Sequence, residues 1–284
     1  MADWLVDSTW KGNTKAGYTN SFQAWQEFAK AREIDHLQPT EQQVRDYMGF
    51  LTWPTRRCPK GVAVATMKSY LSGIKAMIMK EGYPDPIAGR HRVALAMRAW
   101  KRIRSTVRKP KRPITVSLLV ILRECLTLDT LEGCCMWAIL CVGVHGCFRS
   151  AELLEPAPEW RQITSHKKEN RLTINLEQSK TDPFREGVDR FVFATCDDTC
   201  PEAALRKLTG MQRARGSHTA VFAKHNGRPT WTRRQFVDRL KELVAKAGVK
   251  HPDLSLCSKE YAGHSMRRGG ATSLAYRGIP TGLI

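Results

Sequence analysis

Four polar residues in the second half of this chain have types and spacings suited to anion chemistry. His264-Ser-Met-Arg267 is an H-x-x-R pair opening a helical stretch, Gly-His-Ser-Met-Arg-Arg-Gly-Gly-Ala-Thr. At that spacing both side chains project from one face of a first helical turn. The same turn exposes unbonded N–H groups and the positive end of the helix dipole, so an anion is welcome there. The pair alone says little, because His225-Asn-Gly-Arg228 repeats it inside an apparent turn. Arg149 begins Arg149-Ser-Ala-Glu152-Leu-Leu, directly after an apolar helical stretch, and Lys180 stands at the tip of a strand–turn–strand segment. Taken singly, Arg149 reads as a surface residue and Lys180 as a solvated one. Glu152 alone reads as a helix-start carboxylate favoured by the dipole.

Helices must position most of these residues. In Thr19 to Ala31, Phe22, Trp25, Phe28 and Ala29 recur at helical spacing. Pro39-Thr-Glu opens a helix with Val44, Tyr47, Met48 and Leu51 on one face, closed by Trp53-Pro54. Val64 to Met79 and Ile87 to Ile103 give two more. The last turns Val93, Met97 and Trp100 inward and Arg90, Arg98, Lys101 and Arg102 largely outward. A bundle of four helices follows. Ser105 to Pro113, with two prolines and no apolar period, reads as an extended basic linker. Beyond it come helices at Thr115–Leu126 and Leu131–Val144, then strands at Leu172–Leu176 and Arg190–Phe193 joined by a turn-rich connection. Helices return at Pro201–Arg213, Thr232–Ala247 and Gly263–Tyr276.

Charge narrows the partner. With 46 Lys+Arg against 27 Asp+Glu the net charge is +19, which points to a polyanion, most often nucleic acid. Arg90 to Arg112 holds ten Lys/Arg and no acid, so Arg90, Arg98, Lys101, Arg102, Arg104, Arg108, Lys109, Lys111 and Arg112 are candidate DNA contacts. A chain of 284 residues, 42% hydrophobic and 26% charged, is not disordered throughout. Its longest apolar run, Met136 to Val144, is too short to span a membrane. The start, Met-Ala-Asp-Trp, lacks the pattern of a secretory signal. Nine cysteines without that context read as reduced thiols of an intracellular protein. Cys125, Cys134, Cys135 and Cys141 lie in apolar helical text. Cys196 and Cys200 lack a second ligand pair for zinc.

In this order and spacing, Arg149, Lys180, His264 and Arg267 resemble the tyrosine recombinase, or phage integrase, family over most of the chain. The family's R-x-x-E-L context matches Arg149, Glu152 and Leu153. Its hairpin lysine matches Lys180 in Ser-Lys-Thr. Its H-x-x-R box, with Ala-Thr and a later Gly, matches His264, Arg267, Ala271, Thr272 and Gly278; Cys200-Pro-Glu-Ala-Ala-Leu205 looks like the segment entering its next helix. The resemblance implies a mainly α protein. Residues 1–104 would form a four-helix, SAM-like core-binding domain that clamps DNA, 105–113 a basic linker, and 114–284 a mostly helical catalytic domain with a small antiparallel sheet. It implies that Arg149 and Arg267 clamp the non-bridging oxygens of a phosphodiester as charge builds at the transition state. His264 adds a donor or handles the nucleophile's proton, Lys180 protonates the departing 5′ oxygen, and Glu152 orients its neighbours. Intact relatives cut and rejoin double-stranded DNA through a 3′-phosphotyrosine link, without cofactor or metal, usually as a tetramer.

The departure is the nucleophile. The family places a His or Trp and then a Tyr beyond the H-x-x-R box. Only 17 residues follow Arg267, and Tyr276 does not match the motif position. The expectation is a fragment or truncated product, of a eukaryotic mobile element and nuclear if so. Two rivals stand beside it: a non-catalytic DNA-binding remnant acting as a regulator, and a type IB topoisomerase-like nicking enzyme, whose clamp domain fits less well.

Overall fold

The computed structural model describes residues 8–10, 12–56, 58–104, 110–155, 157–177, 182, 186–214, 220–222, 231–280 and 282. The chain divides into two units, Met1–Arg108 and Lys109–Ile284.

In the first unit the helices are α1 (Gly12–Lys30), α2 (Glu41–Thr52), α3 (Val64–Lys80) and α4 (His91–Ile103). Their facing stripes meet in one core around Trp25, Tyr47, Met67 and Ile78, each with no exposed surface. Tyr47 sits edge-on to Trp25 and Phe28, with ring centroids 5.2 and 5.0 Å apart. The Trp25 indole N–H donates to the His36 carbonyl (2.9 Å), so burying it leaves no donor unpaired. α2 starts in a reciprocal cap: the Thr40 hydroxyl accepts from the Gln43 N–H, and the Gln43 side chain accepts from the Thr40 N–H. Glu41 serves two helices. Its carboxylate accepts from the N–H groups of Arg92 (2.8 Å) and Val93 (3.3 Å), placing an anion at the N-terminus of α4. α4 therefore begins at His91, four residues later than its apolar pattern suggests.

The second unit contains α5 (Val116–Arg123), α6 (Leu131–His145), α7 (Ser150–Leu154), β1 (Ile163–His166), β2 (Arg171–Leu176), β3 (Val188–Phe193), α8 (Pro201–Arg213), α9 (Arg233–Lys250) and α10 (Ser265–Tyr276). α6 is apolar all round and runs through the core, buried from Leu131 through Val144 apart from Glu132. β1, β2 and β3 form an antiparallel sheet in sequence order. Leu172, Ile174, Leu176 and Val192 point into the core. β1 was not legible as a strand: Ile-Thr-Ser-His has one strongly apolar residue, and its pairing with β2 supplies what its own pattern lacks. Lys111 and Arg112, expected in the extended basic linker 105–113, are bonded into this unit. Among the described residues no helix is long and apolar enough to cross a membrane.

Candidate active site

Arg149 caps α7. Its backbone N–H donates to Glu152 Oε2 (2.8 Å), and its guanidinium Nη1 donates to Glu152 Oε1 (2.7 Å). One carboxylate thus caps the helix and holds the guanidinium. The Glu152 side chain is 5% exposed and that of Arg149 21%, so the acid is sunk and the base reaches out. A planar guanidinium held by one nitrogen keeps its other donors for a ligand.

The H-x-x-R element lies against this turn. The Ser150 N–H donates to the Gly263 carbonyl (3.3 Å), joining the residue after Arg149 to the residue before His264. A Cβ on Gly263 would fall 2.2 Å from Ser150 Oγ, so the approach needs glycine. His264 is exposed at the N-cap of α10. One turn on, Arg267 Nη1 donates to the Cys147 carbonyl (3.2 Å), two residues before Arg149. Cys147 has φ 53°, a left-handed bend that turns the chain from α6 toward α7. Burial pushes the Cys147 thiol up, with Arg267 and Arg190 opposing. Deeper in, Gly270 meets α6 so closely that a Cβ would lie 2.1 Å from the Val144 carbonyl oxygen. The two helices cross nearly backbone to backbone.

Arg149, Glu152, His264 and Arg267 are therefore brought together on two adjoining turns. Lys180 lies outside the described residues, as does His225-Asn-Gly-Arg228. At the base of the same hairpin, buried Asp182 accepts from the N–H groups of Glu186 (3.2 Å) and Gly187 (3.0 Å). Tyr276 ends α10 and is 89% exposed. Nine residues of helix separate it from Arg267, about 13 Å along the axis.

Of the basic stretch, Arg98, Lys101 and Arg102 are exposed on α4. Arg90 donates to the Pro39 carbonyl (2.7 Å) and Arg104 to the Gly61 carbonyl (3.2 Å). Arg112 is ion-paired to Glu260 (2.8 Å), and Lys111 donates to the Lys259 carbonyl. Arg108 and Lys109 lie outside the described residues. Cys134, Cys135 and Cys141 are buried and Cys125 half-buried. Among the described residues no His, Cys, Asp and Glu side chains cluster in a way that could hold a metal ion.

Sequence reasoning did not single out Arg233. It opens α9 and brings Nε to 3.6 Å from where a Gly263 Cβ would sit, while its N–H donates to Glu155 Oε1 (2.9 Å). Its only signal in sequence is a place after the Thr232 cap. Nothing there says that the helix start meets Gly263.

A protein named integrase/recombinase xerD homolog from Selenomonas ruminantium is 29% identical over 200 residues, which is 68% of this chain and 56% of that protein. The chain spans little more than half the length of this curated relative. The fold is similar to that of XerH site-specific recombinase, solved bound to palindromic difH substrate as a post-cleavage complex. The TM-score is 0.63 at 16% identity, covering 95% of this chain and 70% of that one. No family model matches the chain. The chain is thus similar in sequence to an integrase/recombinase and similar in fold to a site-specific recombinase, and it brings Arg149, Glu152, His264 and Arg267 onto adjoining turns.

Proposed function

We propose that this chain binds duplex DNA and holds a scissile phosphate for site-specific strand exchange. The observation that carries the reading is the bond between the Arg149–Glu152 turn and the Gly263–Arg267 turn. Attack on a phosphodiester spreads charge over the non-bridging oxygens, and preoriented guanidiniums stabilise that charge. Arg149, held by Glu152, and Arg267, held by the Cys147 carbonyl, supply them. His264 donates to the same phosphate or takes the attacking hydroxyl's proton, and Lys180 protonates the leaving 5′ oxygen. Tyr276, exposed at the far end of α10 and about 13 Å along the axis from Arg267, does not serve as nucleophile. Arg98, Lys101 and Arg102 contact phosphates through the first unit, and copies of the chain meet on DNA.

The test is binding to a duplex over a salt series. Each phosphate contact contributes about 0.9 to the negative slope of log K against log salt, so Arg98→Ala, Lys101→Ala and Arg102→Ala together should remove about 2.7. An unchanged slope removes α4 from the interface. With a 5′-bridging phosphorothioate in the duplex, the 284-residue chain should bind without leaving a covalent adduct. An adduct lost in Tyr276→Phe would overturn this assignment.

A further inference from the structure

His264 and Arg267 are placed by more than α10. His264 precedes the helix without a side-chain cap, and the stretch before it is a single 3-10 turn, Ser258–Glu260, followed by irregular chain. Its own bonds are short local turns, the Tyr261 N–H donating to the Ser258 carbonyl (3.3 Å) and the Ala262 N–H to Ser265 Oγ (3.0 Å), and its neighbours on either side hold it as well. On one side it is pinned by Ser150 at Gly263. On the other lies the strap 110–114, through which the chain passes from the first unit into the second.

The strap follows the segment closely. The Arg112 N–H donates to the Glu260 carbonyl (2.7 Å), and the Ile114 N–H donates to the Ser265 carbonyl (2.9 Å). The Arg112 guanidinium is 2.8 Å from the Glu260 carboxylate. Arg268, beside Arg267, donates to the Lys111 carbonyl. Ile114 is fully buried, and its carbonyl oxygen lies where a Gly269 Cβ would be, 1.8 Å away. Every residue from 111 to 114 except Pro113 thus contacts the chain within five residues of His264.

We propose that Arg112 is a positioning residue: through Glu260 it locks the strap onto the His264–Arg267 element, so that the chain arriving from the DNA-clamping unit sets the phosphate site. The inference rests on the phosphate-site reading above. It assigns Arg112 a partner within the chain, where composition alone made it a DNA contact. The paired carboxylate is what distinguishes it from Arg98, Lys101 and Arg102 on α4. Because the strap and the H-x-x-R element share backbone bonds as well as this ion pair, loosening the pair should shift the site without dissolving the fold.

The experiment titrates inorganic phosphate into the full chain and follows the His264 ring and Arg267 Nε signals by NMR. In the unchanged protein both should move together. Arg112→Ala and Glu260→Gln should each weaken the response about fivefold, the scale of a coupled pair losing one member. Arg112→Glu combined with Glu260→Arg should restore most of it. Arg123→Ala breaks the 2.7 Å ion pair to Asp198 elsewhere in the same unit and should leave the response alone. If Arg112→Ala does not fold, Glu260→Gln reads the same coupling. An unaltered response in both variants overturns the proposal. So does a fall of about 0.9 in the DNA salt slope of Arg112→Ala that the charge swap fails to restore, since Arg112 would then be a phosphate contact. No response at His264 or Arg267 in the unchanged protein overturns the phosphate-site reading, and this one with it.

Discussion

Among single residues, Glu152 and His145 show how burial decides what a titratable group does. Glu152 spends its two oxygens on the Arg149 N–H and guanidinium, so removing it strands a helix-start donor and frees the guanidinium to swing. Glu152→Ala should cost about 1–3 kcal/mol, read from the denaturation midpoint, and should weaken phosphate binding at Arg149 as well. His145 ends α6 with Nε2 3.0 Å from Thr199 Oγ1, and the Thr199 hydroxyl donates to Asp197 (2.8 Å). Since that hydroxyl proton is committed, Nε2–H is the donor to Thr199. Burial pushes the imidazole below its usual range, although Asp197 pulls it back. An imidazole harder to protonate when folded favours the unfolded chain in acid. Its contribution is therefore full above about pH 6.5, the unfolded value, and is lost as pH falls through the folded one. Thermal melts from pH 7.5 to 5 should show this decline flattened in His145→Gln; an identical decline would exclude His145 as its source.

At the level of elements, close approach matters more than helix propensity. Gly270 lets α10 cross α6, and a Cβ there meets backbone oxygen that cannot rotate away. Gly270→Ala should destabilise by about 1–3 kcal/mol or more, because overpacking at a backbone contact forces the helices apart. Gly210 sits inside α8 with open space around it. Gly210→Ala should stabilise by about 0.5–1 kcal/mol through the ordinary helix preference. Denaturant midpoints of the two variants should move in opposite directions, and a shared sign would show that helix propensity and not packing dominates. From sequence the two glycines look alike. Apolar spacing located the helices, while β1 and the late start of α4 were not legible, because pairing with β2 and capping by Glu41 come from distant chain.

Over the whole molecule, two cores form, one around Trp25 and Tyr47 and one around α6. Brief trypsin treatment without DNA should give two fragments meeting between residues 104 and 110 before any cut within α6, and DNA should slow that cleavage; early cuts inside α6 would refute the division. The sequence by itself determined the helices, through apolar period, and pointed to a polyanion as partner, through charge. It also carried the family resemblance, through the residue types around Arg149, Lys180, His264 and Arg267. All of these are written in local text. Only the tertiary structure decided that Arg149 and His264 share a hydrogen-bonded junction at Ser150 and Gly263, that Arg233 reaches the same junction, and that Arg112 faces Glu260 inside the chain. A charge in sequence has a sign but no neighbour, and whether an arginine meets a phosphate or a carboxylate depends on residues more than a hundred positions away.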